Sequence, residues 1–97
     1  MSQAIAVVAI LDAKPESVAQ LEAAIGPCVK ETQLEPGCKL YKCHKDLNVA
    51  GRFVFIEEWE SLDALAQHKK TAHLLALVEA SKTLLAAPMQ VSVLAPL

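Results

Sequence analysis

The stretch Arg52-Phe53-Val54-Phe55-Ile56-Glu57-Glu58-Trp59 is the strongest strand signal in the chain. Its β-branched and aromatic residues suit a pleated, partly buried surface. Period-two alternation puts Phe53, Phe55, Glu57 and Trp59 on one face and Val54 and Ile56 on the other. Directly after it, Ser61 can cap a helix from Leu62 to about Lys69, and Thr71 can cap a second one. Leu74, Leu77, Val78, Leu84 and Leu85 supply the buried side of that second helix, which Pro88 ends. Upstream, Cys38 to Lys45 alternates as a strand, with Leu40, Lys42 and His44 on one face and Tyr41 and Cys43 on the other. Asp46 to Gly51 then serves as a hairpin connection.

Ala4 to Leu11, rich in Ile and Val, is a further strand that stops at Asp12-Ala13-Lys14-Pro15. Pro15 suits a first helical turn, where its missing N–H has no partner to lose, and Glu16 faces the positive end of the helix dipole. Val18, Leu21, Ile25, Cys28 and Val29 follow as an amphipathic stripe. Gly26-Pro27 interrupts it and predicts a kink or a short second segment. Glu35-Pro36-Gly37 ends the helix in a turn, and Met89 to Leu94 reads as a last strand. The order is β-α-β-β-α-β with a split second helix. That pattern predicts an α+β, ferredoxin-like domain over residues 1–97, with a four-stranded antiparallel sheet and its helices on one face.

Helices on one face leave the other to be covered. The first strand is apolar on both faces, with Ile5, Val7, Ala9 and Leu11 opposite Ala4, Ala6, Val8 and Ile10. A patch of several hundred Å² in water is unusual for a monomer, so packing of sheet against sheet in a homodimer is expected.

Composition narrows the function classes. The chain has 97 residues, 54% hydrophobic and 21% charged, with a formal net charge of −2. That excludes a basic nucleic-acid footprint as the main theme. The apolar run Ala4 to Leu11 is far shorter than the ~20 residues of a membrane span. No positive charge precedes it, so a cytoplasmic chain without a secretory leader is expected. Cys28, Cys38 and Cys43 form no CxxC pair and read as free thiols. On a continuous strand Cys38 and Cys43, five positions apart, point to opposite faces. Phosphate-loop, dinucleotide, HExxH and GxSxG motifs are absent.

Phe53-Val-Phe-Ile-Glu-Glu-Trp-Glu-Ser-Leu-Asp-Ala-Leu-Ala-Gln-His-Lys-Lys-Thr-Ala-His73 resembles the antibiotic biosynthesis monooxygenase family. There a strand ends in Glu-x-Trp, a Ser follows, and His-x-x-x-x-His comes next. Glu35-Pro-Gly-Cys-Lys-Leu-Tyr41 resembles the family's Glu-x-Gly-Cys/Asn-x-x-Tyr turn. The resemblance covers essentially the whole chain. It implies a dimeric α+β barrel with a pocket in each subunit between sheet and helices. It also implies oxidation of quinols or polyketide phenols with O2 and with no metal, flavin or haem cofactor. Relatives that degrade haem or isomerise small phosphorylated sugars share the fold, which alone does not choose among them. Polyketide-oxidising relatives carry Asn where this chain has Phe55, and haem-degrading ones need an Asn that Ala4 to Leu11 lacks. Phe55 points instead to a small, dry pocket.

The residues have bland readings beside functional ones. Trp59 could stack on an aromatic substrate, or fill the core with its indole N–H satisfied. Glu57, costly among aromatics unless paired, could take a phenolic proton, orient a histidine, or act as a structural acceptor. His68 and His73 lie about 140° apart around an unbroken helix and are not a helical metal pair. A break at Thr71 could bring both towards the pocket mouth, where an imidazole suits a base that makes a phenolate. Surface or capping roles remain the alternative for either. Lys69 and Lys70 could attract an anionic substrate or simply be a solvated face. The combined reading is a cofactor-free monooxygenase of a small quinol or phenol, with Glu57, His68 and His73 catalytic and Tyr41, Phe55 and Trp59 around the substrate. A non-redox isomerase in the same pocket and a non-catalytic ligand-binding dimer are the rivals.

Overall fold

Strand β1 (Ile5–Asp12) is flanked on both sides in the computed structural model, which describes residues 3–97. It pairs antiparallel with β3 (Arg52–Trp59) and with β4 (Gln90–Leu94). β2 (Cys38–Lys45) lies antiparallel on the far side of β3, so the sheet runs β2-β3-β1-β4. This is the ferredoxin-like α+β arrangement that the element order predicts. Ile5, Val7, Ala9 and Leu11 are buried and lie opposite Trp59, Glu57, Phe55 and Phe53 in register. That face meets the helices. Ala6, Val8 and Ile10 point the other way and are only half-buried, and Ile56 and Leu94 on the same side are 42% and 44% exposed.

Helix α1 (Val18–Thr32), entered through a 3-10 turn at Pro15–Ser17, buries Leu21, Ile25, Cys28 and Thr32 against the sheet. The kink expected at Gly26-Pro27 does not break it: the helix runs through Pro27 without interruption. Both residues are on the exposed side, so water can reach the carbonyl that Pro27 leaves unpaired. Gly26 has no Cβ to clash with the proline ring, which removes part of the usual bias against helix before proline.

A register shift between Cys38 and Leu40 corrects the expectation for the cysteines. The irregularity adds one residue, so Cys38 pairs with Trp59 and Cys43 with Phe55, both on the helix side. Both thiols are half-buried against the core. The β2–β3 connection closes through Asp46, whose side chain accepts from the backbone N–H groups of Asn48 (2.8 Å) and Val49 (3.2 Å). Helices α2 (Leu62–His68) and α3 (Ala72–Leu84) begin at the expected caps. Ser61 Oγ accepts from the Ala64 N–H, and Thr71 Oγ1 from the Leu74 N–H. α3 stops short of Pro88, because Leu85 leaves the helix to bridge Ala13 and Ala86 donates to the Asp12 carbonyl (2.7 Å). Among the described residues, no helix is long and apolar enough to cross a membrane.

Candidate functional site

Between the sheet and the α2–α3 pair lies a cavity of about 120 Å³. Val7, Ala9 and Phe55 form its sheet side, and Leu65, Leu74 and Leu77 close it from the helices. Its lining is almost wholly apolar. Buried polar groups enter at three places: Tyr41 on β2, Glu57 on β3 and His68 at the end of α2. Exposed Lys69, Val78 and Val91 also border it, and they mark its open side.

The polar groups are held from behind. Trp59 Nε1–H donates to Glu57 Oε1 at 2.9 Å, which leaves the second Glu57 oxygen without a protein partner among the described residues. Burial pushes the Glu57 carboxyl above its usual range, the Trp59 hydrogen bond opposes this, and the charge of Glu35 adds to it. Trp59 itself is fully buried and does not reach the cavity. It lies against the imidazole of His68, with ring centroids 4.7 Å apart. Tyr41 meets the same imidazole edge-on at 5.3 Å. Burial also raises the Tyr41 phenol far above its ordinary pKa, so it stays protonated and can donate. The three thiols are raised by burial too, Cys43 to about 11, which leaves them poor nucleophiles.

Glu35 completes the arrangement, and sequence reasoning gave it no role. Its Oε2 lies 2.8 Å from His68 Nδ1 and 2.6 Å from His73 Nε2. A carboxylate only accepts, so both ring nitrogens carry hydrogen there. The opposite nitrogen of His68, Nε2, has no protein partner among the described residues, and His68 lines the cavity while Glu35 and His73 do not. In the neutral imidazole this tautomer leaves Nε2 as the acceptor atom. The break between α2 and α3 makes this possible: the helix is interrupted at Lys69-Lys70-Thr71, and both imidazoles turn to one carboxylate. Gly37 sets the position of Glu35. Its φ is +82°, its carbonyl accepts from Glu60 N–H at 2.9 Å, and an added Cβ would stand 2.6 Å from Ala64 Cβ. The turn bearing Glu35 is thus pressed onto α2.

Comparison with known proteins places the chain in a family. The antibiotic biosynthesis monooxygenase model matches residues 4–80. The chain belongs to that family. Rv0793 of Mycobacterium tuberculosis, named as a candidate monooxygenase, is 31% identical over 100% of this chain and 95% of its own. Its solved structure superposes with a TM-score of 0.93, covering 98% of this chain and 96% of that one at 30% identity. PA3566 of Pseudomonas aeruginosa superposes with a TM-score of 0.92 at 29% identity, over 100% and 97% of the two chains. A conserved protein of Methanosarcina mazei Go1 reaches 0.93 at 25% identity, over 99% and 95%. Membership in the antibiotic biosynthesis monooxygenase family supports a general monooxygenase-like role acting on a small molecule.

Proposed function

We propose that this chain oxidises a small phenol or quinol with O2, using no bound cofactor, in the cavity between its sheet and helices. The observation that carries the reading is His68 in the wall of a small apolar cavity, with its Nδ1 tied to Glu35 and its Nε2 without a protein partner among the described residues. An engineered apolar cavity of about 150 Å³ accepts benzene. A cavity of about 120 Å³ therefore suits one aromatic ring.

In this mechanism the substrate hydroxyl lies between His68 Nε2 and the free oxygen of Glu57. His68 takes the phenolic proton and Glu35 stabilises the imidazolium that results, as an orienting carboxylate does in other acid–base sites. Glu57, Tyr41 and Phe55 hold the ring. The phenolate passes one electron to O2, and the phenoxyl radical and superoxide join at a ring carbon as a peroxide. His68 returns its proton to the peroxide, and loss of water then leaves the carbonyl, so phenol and O2 become quinone and H2O, and a quinol and O2 become hydroxyquinone and H2O. Positioning, deprotonation and exclusion of water are the protein's contributions. His73 acts through Glu35. Trp59 acts as the platform on which His68 rests.

Assembly follows from the open sheet face, where Ala6, Val8, Ile10, Val54 and Ile56 need a cover that a second copy of the same chain supplies. The three unpaired thiols suit a reducing compartment, the cytoplasm.

The test is oxygen uptake by metal-free protein with single-ring and two-ring hydroquinones, each corrected for autoxidation. Saturable uptake that favours single-ring substrates and falls at least about 100-fold in His68→Gln is expected, a typical contribution of general acid–base catalysis. Uptake no faster than autoxidation overturns the reading. Turnover without oxygen would favour an isomerase, and saturable binding without product a ligand-binding dimer.

A further inference from the structure

Glu35, His68 and His73 come from a turn, the end of one helix and the start of another, yet their donor atoms all lie within 4.8 Å of one another. We propose that these three side chains form a binding site for a divalent first-row transition ion of the Zn2+ type. His68 Nδ1, His73 Nε2 and the Glu35 carboxylate would be its protein ligands. Two imidazoles and a carboxylate are a donor set that Zn2+ accepts readily, and three protein ligands leave a fourth position open.

The geometry needs two edges of the donor triangle to open and the third to close. A tetrahedral ion with bonds of about 2.0–2.1 Å holds its donors about 3.3 Å apart. The two oxygen–nitrogen separations are 2.6 Å and 2.8 Å, so each must open by roughly 0.5–0.7 Å, while the two nitrogens, within 4.8 Å of each other, must draw towards the same spacing. The side chains able to yield are the outer ones: His73 is 20% exposed and Glu35 11%, against 4% for His68. An ion can therefore enter from the His73 side while His68 stays in place against Trp59. The thiols do not belong to this donor group, since none joins the three atoms within that radius.

Occupation has a chemical consequence inside the cavity. Without an ion, Nδ1–H donates to Glu35 and Nε2 is an acceptor. A neutral imidazole that ligates through Nδ1 must carry its hydrogen on Nε2. The ion thus converts the cavity-facing atom of His68 from proton acceptor to hydrogen-bond donor. Binding itself does not depend on the oxidation proposed above.

The experiment titrates Co2+ and Zn2+ into the metal-free full chain, following Co2+ by visible absorption and Zn2+ by calorimetry. One ion per chain is expected, with the ligand-field bands of a four- or five-coordinate site and no thiolate charge-transfer absorption. Glu35→Gln and His73→Gln should each weaken binding at least about tenfold. His44→Gln, at an exposed position on β2, should leave it unchanged. Nitrogen-15 spectra should show His68 Nε2 gaining its proton as Zn2+ binds. His73→Gln alters a partly exposed side chain on the first turn of α3, and unchanged circular dichroism confirms that variant's fold. No saturable binding, binding with thiolate charge transfer, or binding indifferent to both Glu35→Gln and His73→Gln overturns the proposal. Metal binding without any oxidase activity leaves it standing, and oxidase activity without metal binding sinks it alone.

Discussion

Glu57 is a carboxyl group buried beside aromatic rings, and its titration ties stability to the site. Burial holds its folded pKa above the unfolded value, ordinarily about 4.3. The folded chain then binds the proton more tightly than the unfolded one. Stability is greatest below the unfolded pKa, declines as pH rises through the window up to the raised folded value, and stays reduced above it. Glu57→Gln removes that penalty and keeps an acceptor for Trp59. Thermal denaturation across about pH 4–8 should find the variant more stable near neutrality, with the difference closing towards the acid end. A difference independent of pH would place the penalty elsewhere. At this scale Glu57, Phe55 and Tyr41 were readable, because strand parity alone assigns them a face. Glu35 was not. Its partners lie 33 and 38 residues away, and no local period links a turn to two later histidines.

At the scale of elements, the site depends on two junctions. One is the turn at Gly37, where a positive φ and the approach to Ala64 both require glycine. Gly37→Ala should cost roughly 1–3 kcal/mol by urea denaturation and push Glu35 away from His68. Turnover should then fall by more than the loss of folded protein accounts for. The other is the break between α2 and α3, where Thr71 Oγ1 both donates to the His68 carbonyl (2.8 Å) and accepts from Leu74 N–H. Thr71→Ala should cost about 1 kcal/mol of stability by the same measurement. The caps at Ser61 and Thr71 were legible because a cap is a local signal. The unbroken passage of α1 through Pro27 was not, since it depends on which side of the helix meets water. The shift at Cys38 was also hidden, because a bulge is decided by the partner strand.

Across the whole molecule, one sheet face is covered by helices and the other is left with Ala6, Val8, Ile10, Val54 and Ile56. If that face joins two copies, Ile56→Lys places a charge in the centre of the contact and should convert a dimer to a monomer in light scattering. A variant of unchanged mass would move the interface elsewhere. Near-neutral charge, the β-α-β-β-α-β order and the faces of the β1 and β3 side chains follow from the sequence by itself, because composition, periodicity and capping need only neighbouring residues. The tertiary structure alone decided that Trp59 stands behind the cavity instead of lining it. It also decided that His68 and His73 share one carboxylate. Those outcomes rest on packing between segments distant in sequence: Gly37 against Ala64, α2 against β3, and a helix break that turns two imidazoles to the same point. Side-chain direction at such contacts is fixed by the surrounding core.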